Sequence, residues 1–395
     1  MIPRTLSAKM LTLAQKFQVI SLTGPRQSGK TTLVRATFPD LPYVSLEDPD
    51  VRLFAIADPR GFLGNYPNGA ILDEVQRTPE LFSYIQRIVD ENRQTRFILT
   101  GSANFLLMEK ISQTLAGRTA VLTLLPFSFE ELPPSAAQSY ETVLFNGQYP
   151  RLHDRDLDPT DFYPAYIQTY VERDVRLIKN IGDLNAFIQF ARLCAGRIGQ
   201  LLNYTALAND AGISPNTAKA WLSILESAYI VYRLQPYHRN FNKRIIKSPK
   251  LYFYDTGVAC ALLGLHAAPQ VNFHYLKGAL FENLIINEYI KANLHRGKNH
   301  PPYFWQDSQG KEIDCLLADG ENITAIEIKS GKTVSTAYFD NFQFWQHLSG
   351  APQNSGIVIY GGDQTLQTSA GWLLGWRDLH QARGQTSPIA TPPRP

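Results

Sequence analysis

The chain has 395 residues, of which 44% are hydrophobic and 18% charged, with a formal net charge of +3 at pH 7. At ~150 residues per domain, this length predicts two to three domains, and the low net charge excludes nucleic-acid binding by global charge alone. The three cysteines lie far apart, and the sequence has no secretory signal and no apolar run near the ~18 residues of a membrane span. These features predict a cytoplasmic protein without disulfides or structural zinc.

The first third of the chain alternates between short apolar runs and helical stretches. This alternation predicts an α/β domain, with a mostly parallel sheet covered by helices on both faces. The predicted domain boundary lies near residue 135, after prolines at 126, 133 and 134. The predicted strands are 17–22, 42–46, 70–73, 96–100 and 120–125, and the predicted helices are 31–38, 50–57, 79–91 and 104–112.

The rest of the chain divides into a helical middle and a second α/β part. Residues 136–265 are predicted to be mainly helical, and residues 266–380 return to an alternation of strands and helices. The proline-rich tail, residues 381–395, is predicted to be disordered. In the second α/β part, strands are predicted at 302–306, 313–317, 325–328 and 356–360, and a helix near 338–348.

One octet of the first domain matches the phosphate-loop pattern G-x-x-x-x-G-K-[ST], between a predicted strand and a predicted helix. In such a loop, backbone amides point at the phosphates, and glycines permit the close approach. Lys30 is expected to reach the β- and γ-phosphates of ATP, and the Thr31 hydroxyl to coordinate Mg²⁺. The predicted nucleotide-binding residues of this segment are Gly24, Pro25, Arg26, Gln27, Ser28, Gly29, Lys30, Thr31 and Thr32.

Two acids, Asp73 and Glu74, end the predicted strand 70–73. Asp73 suits an Mg²⁺ ligand, and Glu74 suits the group that orients or deprotonates the attacking water. The alternative is a pair of acids that cap the next helix, but the phosphate loop favours the catalytic interpretation.

Three further residues have two interpretations each. Ser102 and Asn104 follow the fourth strand, where they would either sense the γ-phosphate or cap the next helix. Arg118 is either an arginine finger, acting in its own or a neighbouring subunit, or a solvated surface residue.

These motifs occur in a familiar order, together with residues 99–102, 115–118 and 126–130, and with looser motifs at 170–174 and 278–282. The chain resembles a prokaryotic AAA-type ATPase family whose C-terminal half is a domain of unknown function. The resemblance implies an AAA-type core, a winged-helix-like segment and a restriction-endonuclease-like module. It does not supply a physiological substrate.

Residues 205–214 are typical of the first helix and turn of a helix-turn-helix. The following helix directs Asn216 and Lys219 outward, where a recognition helix would contact DNA. A basic, aromatic segment at 237–250, with Arg239, Lys243 and Arg244, would neutralise phosphates. The alternative for this unit is interdomain or protein docking.

Four residues of the C-terminal part fall in the order of an E…D…E-x-K nuclease site. Asp314 and Glu327 are predicted to hold Mg²⁺, Glu282 lies on an apolar helix, and Lys329 would position the attacking water. Strand alternation places Glu327 and Lys329 on one face. Since this spacing alone is common by chance, a structural or binding-only module is the alternative.

Three functional hypotheses follow. The first is an ATPase coupled to nucleic-acid processing, and the second is an ATP-gated switch that controls DNA or protein binding. A small-molecule kinase is the weakest, because a kinase does not need the water-activating Glu74. A homo-oligomer is the usual AAA-type assembly, for which Arg118 is the one sequence hint.

Overall fold

The computed structural model describes residues 2–101, 114–155, 157–171, 183–237, 246–320, 322–351 and 355–384. The predicted helix 104–112 lies outside these ranges, as do Ser102, Asn104, Arg239, Lys243 and Arg244. Within the described ranges, no helix has both the length and the apolar character needed to span a membrane.

The N-terminal part is an α/β domain built on a fully parallel sheet. Its strands are β1 (Val19–Thr23), β2 (Tyr43–Ser45), β3 (Ile71–Asp73), β4 (Phe97–Thr100) and β5 (Thr119–Thr123). The five strands lie in the order β2-β3-β4-β1-β5. The described helices of this part are α1 (Leu6–Ala14), α2 (Lys30–Thr37), α3 (Pro49–Ala57), α4 (Pro59–Gly64) and α5 (Leu81–Glu91).

Both faces of this sheet are covered, as the predicted fold class requires. Successive residues of a strand point to opposite faces, so Val19 packs in the core on the side of α5, and Ile20 in the core on the side of α1 and α2. All five residues of β1 are buried. This run of five buried residues is typical of an interior parallel strand, and β1 lies between β4 and the edge strand β5.

The middle of the chain is mainly helical and contains two antiparallel strands. The helices are α6 (Tyr140–Asn146), α7 (Pro150–Arg155), α8 (Pro159–Tyr166), α9 (Leu184–Ala195), α10 (Tyr204–Ala211), α11 (Pro215–Ser227) and α12 (Thr256–Leu262). Strands β6 (Val231–Leu234) and β7 (Lys250–Phe253) pair between α11 and α12. A turn at Gly212, with φ of 67°, joins α10 to α11, and the Ser214 hydroxyl caps α11 by accepting a hydrogen bond from the Thr217 amide at 3.1 Å.

The C-terminal part combines a long helix with a mixed sheet. The helices are α13 (Lys277–Leu294) and α14 (Asp340–Ser349), and the strands are β8 (Tyr303–Gln306), β9 (Glu312–Asp319), β10 (Asn322–Lys329), β11 (Gly356–Tyr360), β12 (Leu366–Thr368) and β13 (Gly371–Gly375). The strand order is β12-β13-β11-β10-β9-β8, and β11 is parallel to both β10 and β13. Strands β12 and β13 were not predicted.

The predicted start of the disordered tail at residue 381 is wrong. Residues Trp376–Gly384 form 3₁₀ turns, and Ala382 is fully buried in the same core as Tyr289 and Trp376. The apolar alanine packs because α13 and β11 supply a partner surface that composition alone does not reveal. Residues 385–395 lie outside the described ranges.

A buried ionic network joins the N-terminal residues to the end of α13. The carboxylate of Glu131 accepts hydrogen bonds from the Thr5 amide at 2.8 Å and the Ser128 amide at 3.0 Å. It also lies 3.2 Å from Arg4 Nε and 3.3 Å from His295 Nδ1. Burial by itself would raise the pKa of Glu131, but His295 and Arg4 hold it well below its ordinary value of 4.5.

We expect Glu131→Gln to lower the free energy of unfolding at pH 7 by about 3–5 kcal/mol, because it leaves buried Arg4 without its counter-charge. Since the folded pKa of Glu131 is depressed, this contribution is complete above pH 4.5 and disappears as the pH falls further. Urea denaturation at pH 7 and at lower pH measures the loss. Glu130→Gln is the control, because Glu130 pairs with Arg296 at the surface and should change stability by less than about 1 kcal/mol. Equal effects of the two substitutions would contradict the prediction.

Candidate active site

The predicted phosphate loop connects β1, an interior strand of the sheet, to α2. Gly24 has φ of 143°, and a Cβ added there would lie 2.1 Å from the carbonyl oxygen of Leu124. Gly29 has φ of 91° and precedes the first residue of α2. Both positions therefore require glycine, and the N-terminus of α2 faces the loop with its amide groups and the positive end of its dipole.

The side chain of Lys30 is held inside the loop. Its ammonium group donates hydrogen bonds to the carbonyl oxygens of Gly24 at 2.9 Å and Pro25 at 2.7 Å, and the residue is 7% exposed. The Ser28 carbonyl accepts a hydrogen bond from Arg4 Nη1 at 2.8 Å. The loop thus fixes a positive charge where a bound phosphate would come to lie.

Asp73, at the carboxyl end of β3, gathers three hydroxyl groups. Thr31 Oγ1 donates to it at 2.7 Å and the Tyr43 hydroxyl at 2.8 Å, and Thr100 Oγ1 donates to its other oxygen. Burial, and then the neighbouring Asp73, raise the pKa of Tyr43 to about 12. The sequence predicted the pairing of Thr31 with Asp73, whereas the roles of Tyr43 and Thr100 depend on the strand order and were missed.

Glu74 follows Asp73 in an unusual backbone conformation. Its φ of 56° lies in the left-handed region, which costs a non-glycine residue on the order of 1–3 kcal/mol. Its carboxylate accepts a hydrogen bond from Gln76 Nε2. The residue connects β3 to the 3₁₀ turn at Val75–Arg77, and it lines the same cleft as Lys30 and Thr31.

A cleft of about 1180 Å³ lies over the phosphate loop. Its lining includes Arg26, Gln27 and residues 29–32 of the loop together with Asp73 and Glu74. It also includes Arg151, Asp154 and Arg155 of α7, which come from a segment more than a hundred residues downstream. Sequence reasoning missed these charged residues, because no local pattern relates them to the loop.

Arg118 does not lie in this cleft. It precedes β5, and its carbonyl oxygen accepts a hydrogen bond from the amide of Val19, the first residue of β1. Because β1 and β5 are parallel, this position is at the amino ends of the strands, whereas the phosphate loop is at their carboxyl ends. Its guanidinium binds Asp90 at 2.6 and 2.9 Å. The arrangement is inconsistent with an arginine finger acting on the nucleotide of its own chain.

The second set of predicted site residues also comes together. The ammonium group of Lys329 lies 2.6 Å from Glu327 Oε2 and 3.3 Å from Asp314 Oδ2, which also accepts a hydrogen bond from the Ile328 amide at 2.7 Å. Oxygen atoms of Glu282, Glu312 and Asp314 lie within 4.8 Å of one another. We call Glu282, Glu312, Asp314 and Glu327 the carboxylate cluster.

Lys250 and Glu312 are the members of this site that sequence reasoning missed. Lys250 is the first residue of β7, and its ammonium group contacts Glu312 Oε1 and lies 3.3 Å from Glu282 Oε1. Burial by itself would lower the pKa of Lys250, but Glu282, Glu312 and Asp314 raise it above its usual range. Because Glu312 and Asp314 are two residues apart in β9, strand alternation places them on the same face. The sequence therefore contained a signal for Glu312, whereas it contained none for Lys250.

Burial and the proximity of other carboxylates raise the pKa values of two acids of the cluster, Glu282 and Glu327. Burial, opposed by Lys250 and assisted by Asp314, raises the pKa of Glu282 to about 7. Burial and Asp314, opposed by Lys329, raise the pKa of Glu327 to about 8. Ionising all four acids at once is therefore unfavourable unless positive charge lies nearby.

Both sites offer the oxygen ligands that Mg²⁺ prefers. At the phosphate loop, these are the Thr31 hydroxyl and the Asp73 carboxylate, which already lie in contact. In the carboxylate cluster, Glu327 is fully buried, and its Oε1 atom has no hydrogen-bond partner among the described residues. An unpaired buried carboxylate oxygen fits a cation ligand, although the triad whose oxygens are mutually close contains Glu312 and Glu282 rather than Glu327.

The predicted nucleic-acid contacts are described only in part. Asn216 and Lys219 of α11 are exposed, whereas Ala218 and Leu222 of the same helix are buried. Their outward direction therefore agrees with the helical spacing. The basic residues Arg239, Lys243 and Arg244 lie outside the described ranges.

The chain matches three protein families along its length. Residues 16–133 match an AAA domain, residues 137–268 match a domain of unknown function (DUF8612), and residues 277–379 match another domain of unknown function (DUF4143). An uncharacterized protein of Mycobacterium tuberculosis is 30% identical over 335 residues, which are 84% of this chain and 75% of the relative.

More distant similarity is found in other prokaryotes. An uncharacterized protein of Haemophilus influenzae is 22% identical over 292 residues, which are 69% of this chain and 68% of the relative. Among solved structures, a Walker-type ATPase of Pyrococcus abyssi aligns with 65% of this chain and 94% of its own, with 16% identity and a TM-score of 0.41.

Proposed function

The chain belongs to the family of P-loop ATPases in which an AAA domain precedes a C-terminal domain of unknown function, and on this premise we propose that it hydrolyses ATP in the cleft over the phosphate loop. The observation that carries the proposal is the contact between Thr31 and Asp73 beside Lys30 and Glu74. Those four side chains supply the groups that phosphate binding, metal binding and water activation require.

Each residue has a distinct proposed role. Lys30 and the amides of the loop neutralise the phosphates, and Thr31 and Asp73 hold Mg²⁺, which offsets the negative charge of the triphosphate. Glu74 orients the attacking water and accepts its proton. Arg151 and Arg155 of α7 add positive charge to the cleft, which supports the binding of an anionic ligand.

We further propose that ATP hydrolysis is coupled to the processing of nucleic acid by the C-terminal module. The support is the carboxylate cluster with Lys329, whose members suit metal-dependent attack on a phosphodiester. There, Lys329 would position the attacking water, and the carboxylates would hold the metal. The exposed Asn216 and Lys219 would contact the nucleic acid.

Buried contacts supply a physical connection between the two sites. The hydroxyl of Tyr229, just before β6, lies 2.9 Å from that of Thr23, which precedes Gly24. In α13, which also carries Glu282, the carboxylate of Glu288 accepts a hydrogen bond from the Phe129 amide at 2.7 Å. Rearrangement of the phosphate loop on nucleotide binding would therefore reach packed elements of the C-terminal part.

The direct test measures phosphate release from MgATP by the full chain, with and without single- and double-stranded DNA. We expect measurable turnover that DNA stimulates, and nicking of plasmid in the presence of Mg²⁺ or Mn²⁺. Asp314→Ala and Lys329→Ala should each abolish nicking while phosphate release remains. Nicking that survives both substitutions would identify a contaminant, and absence of turnover would refute the ATPase.

The basic segment provides a separate prediction. Replacing Arg239, Lys243 and Arg244 with alanine should weaken DNA binding and flatten the dependence of log K on log salt by about 0.9 for each phosphate that the protein no longer neutralises. Fluorescence anisotropy at several salt concentrations measures this slope. An unchanged slope would favour the protein-docking role of the segment.

One observation favours a second candidate function, an ATP-gated switch whose C-terminal module binds without cleaving. Lys250 contacts two carboxylates of the cluster, so a cation already neutralises part of the site. If the module binds without cleaving, the plasmid remains intact with Mg²⁺ and with Mn²⁺, whereas ATP still changes the affinity of the chain for DNA or protein.

A further inference from the structure

One of the two cations that contact the carboxylate cluster, Lys250, comes from outside the C-terminal module. Lys250 belongs to β7, which pairs with β6 in the preceding region, and the module proper matches residues 277–379. The side chain is 6% exposed, and its ammonium group lies 5.4 Å from the centre of the Phe304 ring. A long, rotamer-rich side chain is thus immobilised in the interior with its charge directed at Glu282 and Glu312.

Among the described residues, the site has fewer cations than acids. Two ammonium groups face four carboxylates there, because Lys329 contacts Asp314 and Glu327 while Lys250 contacts Glu282 and Glu312. With all four carboxylates ionised, the shortfall of two positive charges equals the charge of one divalent cation. Buried charges without partners are costly, so the cluster favours any added positive charge that reaches it.

Lys250 and a divalent cation would use the same carboxylate groups. Of the three residues whose oxygens lie within 4.8 Å of one another, two are the carboxylates that Lys250 contacts, Glu282 and Glu312. A metal needs close carboxylate oxygens as ligands. An ammonium group and a metal ion bound to the same two carboxylates repel each other and compete for the same space.

We propose that Lys250 is a built-in counter-cation that competes with divalent metal for Glu282, Glu312 and Asp314, so that the cluster takes up a divalent cation when the charge of Lys250 is removed or withdrawn. The inference rests on the proposed metal-binding role of the cluster. It assigns the control of that role to a residue of the preceding region.

The experiment measures metal binding by the full chain without nucleotide or nucleic acid, using Mn²⁺ as the probe. Lys250→Gln removes the charge at nearly constant length, and Lys250→Arg retains it. Lys291→Gln is the matched control, because Lys291 is also fully buried and paired with a glutamate, Glu288, outside the cluster. Calorimetric titration gives the affinity and number of sites, and thermal denaturation with and without Mn²⁺ reports the linked stability.

We expect the carboxylate cluster of Lys250→Gln to bind Mn²⁺ at least about tenfold more tightly than that of the unsubstituted chain, so that the titration counts one additional site. Mn²⁺ should raise the Tm of this variant by about 2–4 °C more than that of the unsubstituted chain. Lys250→Arg and Lys291→Gln should gain no site, and adding Asp314→Asn to Lys250→Gln should abolish the gain.

A folded Lys250→Gln protein that binds Mn²⁺ no more tightly than the unsubstituted chain would overturn the inference. If this variant is insoluble without metal, refolding it with Mn²⁺ should restore soluble protein, and failure of that rescue while Lys250→Arg folds would overturn it equally. Absence of phosphate release or of plasmid nicking in the unsubstituted chain would refute the proposed function alone, since neither is needed to detect the metal.

Discussion

Replacing Lys30 with alanine is expected to weaken ATP binding by about 100-fold, which corresponds to the removal of one to two charge-assisted hydrogen bonds. Lys30 is 7% exposed and fixed by the carbonyl oxygens of Gly24 and Pro25, so its charge is already positioned before phosphate arrives. A preorganised charge contributes more to binding than a flexible one, because little side-chain entropy remains to be lost.

Calorimetric titration with MgATP measures this change in affinity, and circular dichroism establishes that the variant is folded. Lys16→Ala is the control, because Lys16 is an exposed residue of the same domain and its removal should leave the affinity unchanged. An affinity of Lys30→Ala equal to that of the unsubstituted chain would refute nucleotide binding by this loop.

Glu74→Gln is expected to lower kcat by about 10²–10⁴-fold while the affinity for ATP changes little. The amide retains the shape of the side chain and a hydrogen-bonding oxygen, but it cannot accept a proton from water. The substitution thus removes an interaction that forms only as the water attacks.

Single-turnover hydrolysis and equilibrium ATP binding separate these two effects. Glu80→Gln is the matched control, since Glu80 is an exposed acid that follows the same turn and does not line the cleft. Unchanged turnover in Glu74→Gln would mean that another group activates the water. A parallel loss of binding would mean that Glu74 holds the nucleotide or the metal.

Most of the N-terminal fold could be predicted from the sequence. The strand Phe97–Thr100 of this part begins within one residue of its predicted start, and so does the strand Gly356–Tyr360 of the C-terminal part. Both were predictable because buried parallel strands are short, mostly apolar runs bounded by polar turns. Strand β12 was missed, since Leu366–Thr368 is largely exposed and lacks such a run. Strand β13 is mostly buried, but its apolar run has only three residues, between Gly371 and Gly375. The pattern of a strand reports its burial, so an exposed edge strand carries little signal.

What the sequence determined by itself is local chemistry: the loop from Gly24 to Thr31, the acids Asp73 and Glu74, and the alternation that puts Glu327 and Lys329 on one face. These features depend on neighbours a few residues apart, whose relation the backbone geometry fixes. The tertiary structure alone decided which distant groups face them. It brought Thr100 to Asp73 and Lys250 to Glu282, and it put Arg118 at the amino ends of the strands. The physical reason is that strand order and domain packing join residues whose separation along the chain leaves no periodic trace.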